Sequence, residues 1–230
     1  MKLGVIAAMA IEAEAIIAAM TETKTEVWGS ITYTVGKIGG CDVICAVCGI
    51  GKVFAAMCAQ TMIVKYAPDC VVNTGVGGTL TRELSIGDMA VSLDCVQHDM
   101  DTSALGDPVG LISGINIVKI PASADLAEKI CAIASELGIK THCGTIASGD
   151  KFVADPAVKK YITETFGGIA CEMEGAAVGQ VCYVNGTPFA VIRAISDDAD
   201  GGACEDYPSF AKASAQKSAK TVIALAEKLA

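Results

Sequence analysis

Arginine is nearly absent from this chain: of 17 basic residues only Arg82 and Arg193 are arginines. Set against 26 acidic residues and a net charge of −9, that scarcity argues against a surface built to grip nucleic acid. Aromatic residues make up only 5% of the sequence, so the core has to be assembled from aliphatic side chains. With 19% charged and 52% apolar residues the chain is too hydrophobic to be disordered. A membrane-length apolar run is also missing. The longest uncharged stretch, residues 175–192, contains Gln180, Asn185, Gly186, Thr187 and Pro188 and divides into a helix, a turn and a strand. Only two histidines occur, His98 and His142, and Cys45-x-x-Cys48 has no second pair to complete a zinc site. No metal and no cofactor is therefore expected. No repeat and no Pro/Ser-rich linker divides the chain, and residues 1–230 read as a single domain.

What is present is glycine (24 residues), cysteine (11 residues) and an alternation of short apolar runs with helical patterns. Most of the cysteines lie inside apolar runs, as Cys70, Cys171 and Cys182 do, where a free thiol acts as a small hydrophobe; that usage points to a reducing cytoplasm. The opening MKLGVIAAMA has the outline of a short signal peptide, but Glu12 and Glu14 follow at once, and it reads better as a first core strand.

The periodicity predicts a strand near residues 3–9, a helix over 10–20, adjacent strands between 27 and 49 and a helix over 53–66. DCVVNTGVGG reads as a buried strand running into a glycine-rich loop. A strand over 86–97 is followed by an irregular stretch from Asp99 to about Ala122, of the kind that is more often functional than structural. Then come a helix (124–137), the strand THCGTIASGD, a helix (156–166), the strand GGIACEM, a helix (174–184), the strand PFAVIRAIS and a last helix over about 209–229. This order predicts one α/β domain around a mixed, strongly curled sheet, with a ligand at the carboxyl ends of the strands.

Candidate polar residues gather at those ends: Asn73, Ser148-Gly149-Asp150, Glu172 and Glu174, Arg193 and Asp197. Arg193 sits within an apolar strand and needs a partner, either a core carboxylate in a structural ion pair or a ligand. Glu174 opens an apolar helix, where a carboxylate is also at home for electrostatic reasons alone. Glu12, by its position alone, reads as an exposed helix glutamate. The loops GIGK (49–52) and NTGVGG (73–78) fit neither a dinucleotide fingerprint nor a P-loop.

Taken together and in order, GVIAAMAIEAE, CGIGKV, VVNTGVGG, SIGDMAVS, HDMDTSALG, ASGDKFV, CEMEGAAV and FAVIRAISDDAD resemble the 5′-methylthioadenosine/S-adenosylhomocysteine nucleosidases of the purine nucleoside phosphorylase-like superfamily. The resemblance spans residues 4–200. It implies a three-layer αβα fold with a central mixed, partly closed sheet, and hydrolysis of the N-ribosidic bond of a small-molecule nucleoside with release of adenine, in a homodimer whose loop 102–116 reaches the neighbouring site. It implies Asp197 as the acid to purine N7, Glu12 as the base that activates water, and Glu174 on the ribose hydroxyls. Arg193 would help hold the water and Glu12, and Met173 would pack beside the sugar. Phe152 would stack on adenine while the Val153 backbone reads its edge. Met9, Ile50 and Tyr207 would line the 5′ side, and Val76, Gly77, Glu172 and Ser196 would complete the site. An acid working near neutral pH has to be buried to keep its proton.

Three departures from the family pattern stand out. Val76 replaces a hydroxyl residue common in relatives, residues 105–116 lack the family's aromatics, and Tyr207 stands where phenylalanine is usual. A phosphorylase of the same superfamily is the nearest rival, but it clamps phosphate with arginines that this chain lacks, and a carboxylate at position 12 would repel phosphate. A non-catalytic nucleoside sensor on the same scaffold is the alternative from another class, and retention of Glu12, Glu174, Arg193 and Asp197 together argues against it.

Overall fold

Short apolar runs separated by glycine turns form strands buried on both faces, because helices cover each side of the sheet. A computed structural model describes residues 1–197 and 203–230, with side chains in the last helix described from Phe210 onward. Among these residues the elements run β1 (Lys2–Ala7), α1 (Ala10–Ala19), β2 (Thr21–Trp28), β3 (Ile31–Ile38), β4 (Cys41–Val47), α2 (Lys52–Tyr66), β5 (Cys70–Thr79) and β6 (Met89–Gln97). There follow β7 (Ile120–Pro121), α3 (Ala124–Glu136), β8 (Thr141–Ser148), α4 (Pro156–Phe166), β9 (Gly168–Glu172), α5 (Gly175–Val184), β10 (Phe189–Asp197) and α6 (Ala203–Lys228).

The sheet is more closed than its alternating pattern implies. β5 pairs with β10, β10 with β6, β6 with β8, β8 with β9, and β9 returns to β5, so five strands form a closed barrel. From β5 the sheet continues through β1, parallel to both β5 and β4, and then through β4, which pairs antiparallel with β3, to end in the antiparallel ribbon β3–β2. Alternation along β1 sends Leu3, Val5 and Ala7 to a core shared with α1, α3 and α6, and Ile6 to a second core under α2 and α5. A smaller cluster, with Ile162 and Phe166 of α4, closes one end of the barrel. The three-layer αβα architecture is thus observed. Among the described residues no helix is long and apolar enough to cross a membrane.

Two expectations change. NTGVGG is not a loop: all of Cys70–Thr79 is buried strand, and Gly75, Gly77 and Gly78 are absent from the residues with positive φ. Their value is the missing side chain. A Cβ on Gly75 would come within 2.5 Å of a Glu12 carboxylate oxygen, and one on Gly78 within 2.6 Å of Asp197 Oδ2. The last helix also begins earlier, at Ala203 rather than near Ser209. The irregular stretch after β6 is real, holding one 3-10 turn (Ser103–Leu105) and an isolated bridge between Ile112 and Ile117 before β7.

Helix α4 shows how locally the boundaries are set. Asp155 caps it by accepting from Ala157 N at 2.8 Å, Pro156 occupies its first turn, and Gly167 ends it in the left-handed region at φ 67°. Replacing Asp155 with alanine should cost about 1 kcal/mol, read as a lower urea midpoint at an unchanged slope.

Candidate active site

The carboxyl ends of β1, β8, β9 and β10 and the late part of β5 converge on one cavity of about 280 Å³. They can meet because β9 crosses β5 antiparallel at its very end, pairing Gly78 with Cys171. The lining includes Met9, Glu12, Ile50, Val76, Gly77, Phe152, Val153, Glu172, Met173, Glu174, Ser196 and Asp197, which brings together residues scattered over most of the chain. Tyr207 lies outside the described side chains. Ala8, Gly78, Lys151 and Cys171 also line the cavity; each lies within a stretch that carries the family resemblance, though none is singled out there as a site residue.

Glu12 is not the exposed glutamate its position suggests; it is 3% exposed. It occupies the third position of α1, and its carboxylate turns back to accept from Ala8 N and Met9 N, both at 3.0 Å, and across the sheet from Val76 N, also at 3.0 Å. The backward reach is one half of a capping box. Burial pushes the Glu12 pKa up from the ordinary carboxylate range, against the Arg193 charge and the N–H donors, which pull it down. At position 76 it is the backbone that serves the site, and so a valine satisfies that contact as well as any hydroxyl residue.

Among the described residues Arg193 is the largest fully buried side chain. Its guanidinium donates to Glu172, to the Asn73 side chain, to Asn73 O at 3.2 Å and to Ile192 O at 2.9 Å, and lies 3.7 Å from Glu174. The structural reading of this arginine holds: it is paired with a core carboxylate, Glu172, and it is Glu172, not Arg193, that lines the cavity. Its link to Glu12 is electrostatic, and it makes no direct hydrogen bond to that residue among the described contacts. Glu172 accepts from Ser148 Oγ, and from Glu174 N at 3.0 Å and Gly175 N at 2.7 Å, so it caps α5 while neutralising Arg193.

Glu174 has less support. Gly51 N donates to it at 2.8 Å, and burial, followed by the neighbouring Glu172 charge, pushes its pKa up to about 7. Gly51 is itself placed by a polar clamp. Asp150 accepts from Lys52 N at 2.8 Å, while Asp99 accepts from Lys52 Nζ at 2.6 Å and from Asp150 N at 2.9 Å. Gly51 has φ +101°, and a Cβ there would meet Asp150 at 3.1 Å, so the glycine is required.

Asp197 depends on an irregularity. The register of β10 on β5 shifts between Ile195 and Asp197, which lets the adjacent Ser196 and Asp197 both face the cavity, where a regular strand would send them to opposite faces. Ser196 Oγ donates to Asp197 Oδ1 at 3.1 Å, and Lys159 Nζ lies 3.5 Å from Oδ2, with both side chains of that pair 4% exposed. The sequence reading missed Lys159. The signal was available in α4, where Lys159 shares a buried stripe with Ile162 and Phe166.

The chain matches the phosphorylase superfamily over residues 2–229. It is 39% identical to the 5′-methylthioadenosine/S-adenosylhomocysteine nucleosidase of Shewanella oneidensis over 230 residues, covering all of this chain and 98% of the relative. Among solved structures, the nucleosidase of the same name from Neisseria meningitidis, in complex with methylthio-immucillin-A, superposes with a TM-score of 0.95 at 34% identity over 99% of both chains. Futalosine hydrolase of Helicobacter pylori superposes with a TM-score of 0.94 at 34% identity, over 99% of this chain and 97% of that one.

The Glu174 pKa gives a signed expectation. Because it is raised in the fold from 4.5 to about 7, its contribution to stability is complete below about 4.5 and is lost as pH rises through 7. The unliganded protein should lose on the order of 2–3 kcal/mol from this group between pH 5 and 8, and Glu174→Gln should flatten that decline in urea titrations run across the range.

Proposed function

The chain belongs to the 5′-methylthioadenosine/S-adenosylhomocysteine nucleosidases within the phosphorylase superfamily, enzymes that hydrolyse N-glycosyl bonds, and we propose that it cleaves the N-ribosidic bond of 5′-methylthioadenosine and S-adenosylhomocysteine, and of 5′-deoxyadenosine, releasing adenine. The observation that carries this reading is the placement of two buried carboxylates against one strand. Glu12 faces Gly75 and Asp197 faces Gly78, three residues further on. Both carboxylates line the same cavity of about 280 Å³, and in our reading a nucleoside sits there with its anomeric carbon and attacking water toward Glu12 and its purine N7 toward Asp197.

In this scheme the bond from C1′ to N9 breaks as Asp197 gives its proton to N7, so adenine departs neutral. A water oxygen bonds to C1′, and the ionised Glu12 takes the proton that water loses. Glu174, ionised, accepts from the ribose hydroxyls. Met173 packs on the sugar, and Phe152, 47% exposed at the rim, stacks on the base whose edge the Val153 backbone reads. Arg193 stabilises the ionised form of Glu12 through its charge, and in that sense supports the water as well. Hydrolysis is favoured over phosphorolysis because Arg193 is committed to Glu172, Arg82 is on the surface away from the cavity, and Glu12 holds negative charge where phosphate would have to enter.

Met9 and Ile50 give the 5′ side an apolar wall, completed in our reading by Tyr207 and by loop 102–116 of a second copy. Leu105, 85% exposed, is the residue of that loop with most to gain from burial. The exposed apolar side chains Val53, Phe54 and Met57 on α2, with Tyr183 and Val184 on α5, support a homodimer through this face. The free thiols of the described cysteines support a cytoplasmic location.

Adenine release should proceed at equal rate with and without phosphate, and the sugar product should carry a free anomeric hydroxyl; ribose-1-phosphate would overturn the reading. Asp197→Asn should keep nucleoside binding while turnover falls about 10²-fold or more. Assayed side by side, 5′-methylthioadenosine should give a higher kcat/KM than S-adenosylhomocysteine or futalosine, since burying its small methylthio group gains about 1–2 kcal/mol and demands no partner for a charged tail. Binding without turnover of any of these would favour the sensor.

A further inference from the structure

Away from the cavity, Cys131 of α3 and Cys143 of β8 bring their sulfur atoms to 3.0 Å. Both are partly exposed, whereas the other described cysteines are buried. A disulfide bond is about 2.05 Å long, so closing this pair asks for about an ångström of movement between two elements that already touch through the same atoms. We propose that Cys131 and Cys143 are an oxidation site, a dithiol that a hydroperoxide closes into a disulfide stapling α3 to β8.

Either sulfur can meet the oxidant first, and the steps are the same with the two exchanged; they are given for Cys131. The Cys131 sulfur bonds to the distal peroxide oxygen, the O–O bond breaks, and Cys131 becomes a sulfenic acid while the peroxide's other oxygen leaves as water or an alcohol. The Cys143 sulfur then attacks that sulfur, the S–O bond breaks, and a second water leaves with the thiol proton. Two thiols are oxidised by two electrons and one peroxide is reduced. Neither cysteine lines the cavity, and Cys143 lies well before Ser148, the residue at the site end of β8, so the staple acts on stability. It closes a loop of about a dozen residues, removing conformations from the unfolded chain.

The test uses the purified full-length chain treated with hydrogen peroxide, after which remaining thiols are alkylated and the protein is digested for mass spectrometry. The peptides holding Cys131 and Cys143 should be joined, two hydrogens lighter than their sum. The melting temperature should rise by about 5 °C and fall back on reduction. Cys143→Ser and Cys131→Ser should each leave on the remaining cysteine a sulfenic acid that dimedone captures, and neither variant should give the joined peptide or the rise in melting temperature. Separate alkylation of both residues after oxidation, cross-links to other cysteines instead, or a joined pair with no gain in melting temperature would each overturn the proposal. None of these readouts depends on the nucleosidase reading.

Discussion

The guanidinium of Arg193, 1% exposed, lies against Glu172 and Glu174 and within the field of Glu12. A lone cation there would cost far more to desolvate than a small domain could supply, and so would any one of the carboxylates. Gathered around one charge, they are mutually sustained: the acids keep Arg193 protonated despite its burial, and Arg193 opposes the rise that burial imposes on Glu12 and Glu174. The division is unequal. Glu172 takes the direct contact, along with Ser148 and the first amides of α5, and leaves Glu174 with Gly51 N–H and a longer approach to the arginine. That imbalance leaves Glu174 as a carboxylate that titrates near neutrality.

The second constraint is steric. The cavity requires two carboxylates to lie flat against β5, and glycine at 75 and 78 is what admits them. The same strand pairs with β1, β9 and β10, so its backbone is at once a wall of the barrel, the seam to the rest of the sheet and, through Val76 N–H, a donor to Glu12. The barrel closure, the β10 register shift and the glycine spacing are therefore parts of one arrangement: together they set where Glu12, Ser196 and Asp197 stand relative to one another.

Much of this was legible in the sequence, for identifiable reasons. Elements with strong periodicity or explicit punctuation, such as α4 between Asp155-Pro156 and Gly167, fall where the pattern places them. NTGVGG misleads because three glycines signal a turn whenever nothing shows what their faces touch, and the carboxylates they accommodate come from residues 63 and 119 positions away in the chain. Glu12 misleads for the same reason, since its burial is created by β5 and not by its own helix. Lys159 is a lysine in a charged-looking helix until α4 is set against the end of the barrel. The family text identified the residues around the cavity; the local sequence could not supply the geometry that makes them act together.

The central claim, that Arg193 divides its charge among three carboxylates with Glu172 taking the largest share, is tested most directly by the acidic limb of kcat/KM for 5′-methylthioadenosine in the wild-type protein and in Glu172→Gln. The substitution keeps the shape of the side chain and removes its charge, which relieves the repulsion on Glu174 and frees Arg193 to act on Glu174 and Glu12. The account predicts that the limb moves to lower pH, by about one unit if the lost repulsion is worth about 1.4 kcal/mol. A limb that stays in place, or moves to higher pH, in a variant that melts as a folded protein would contradict it.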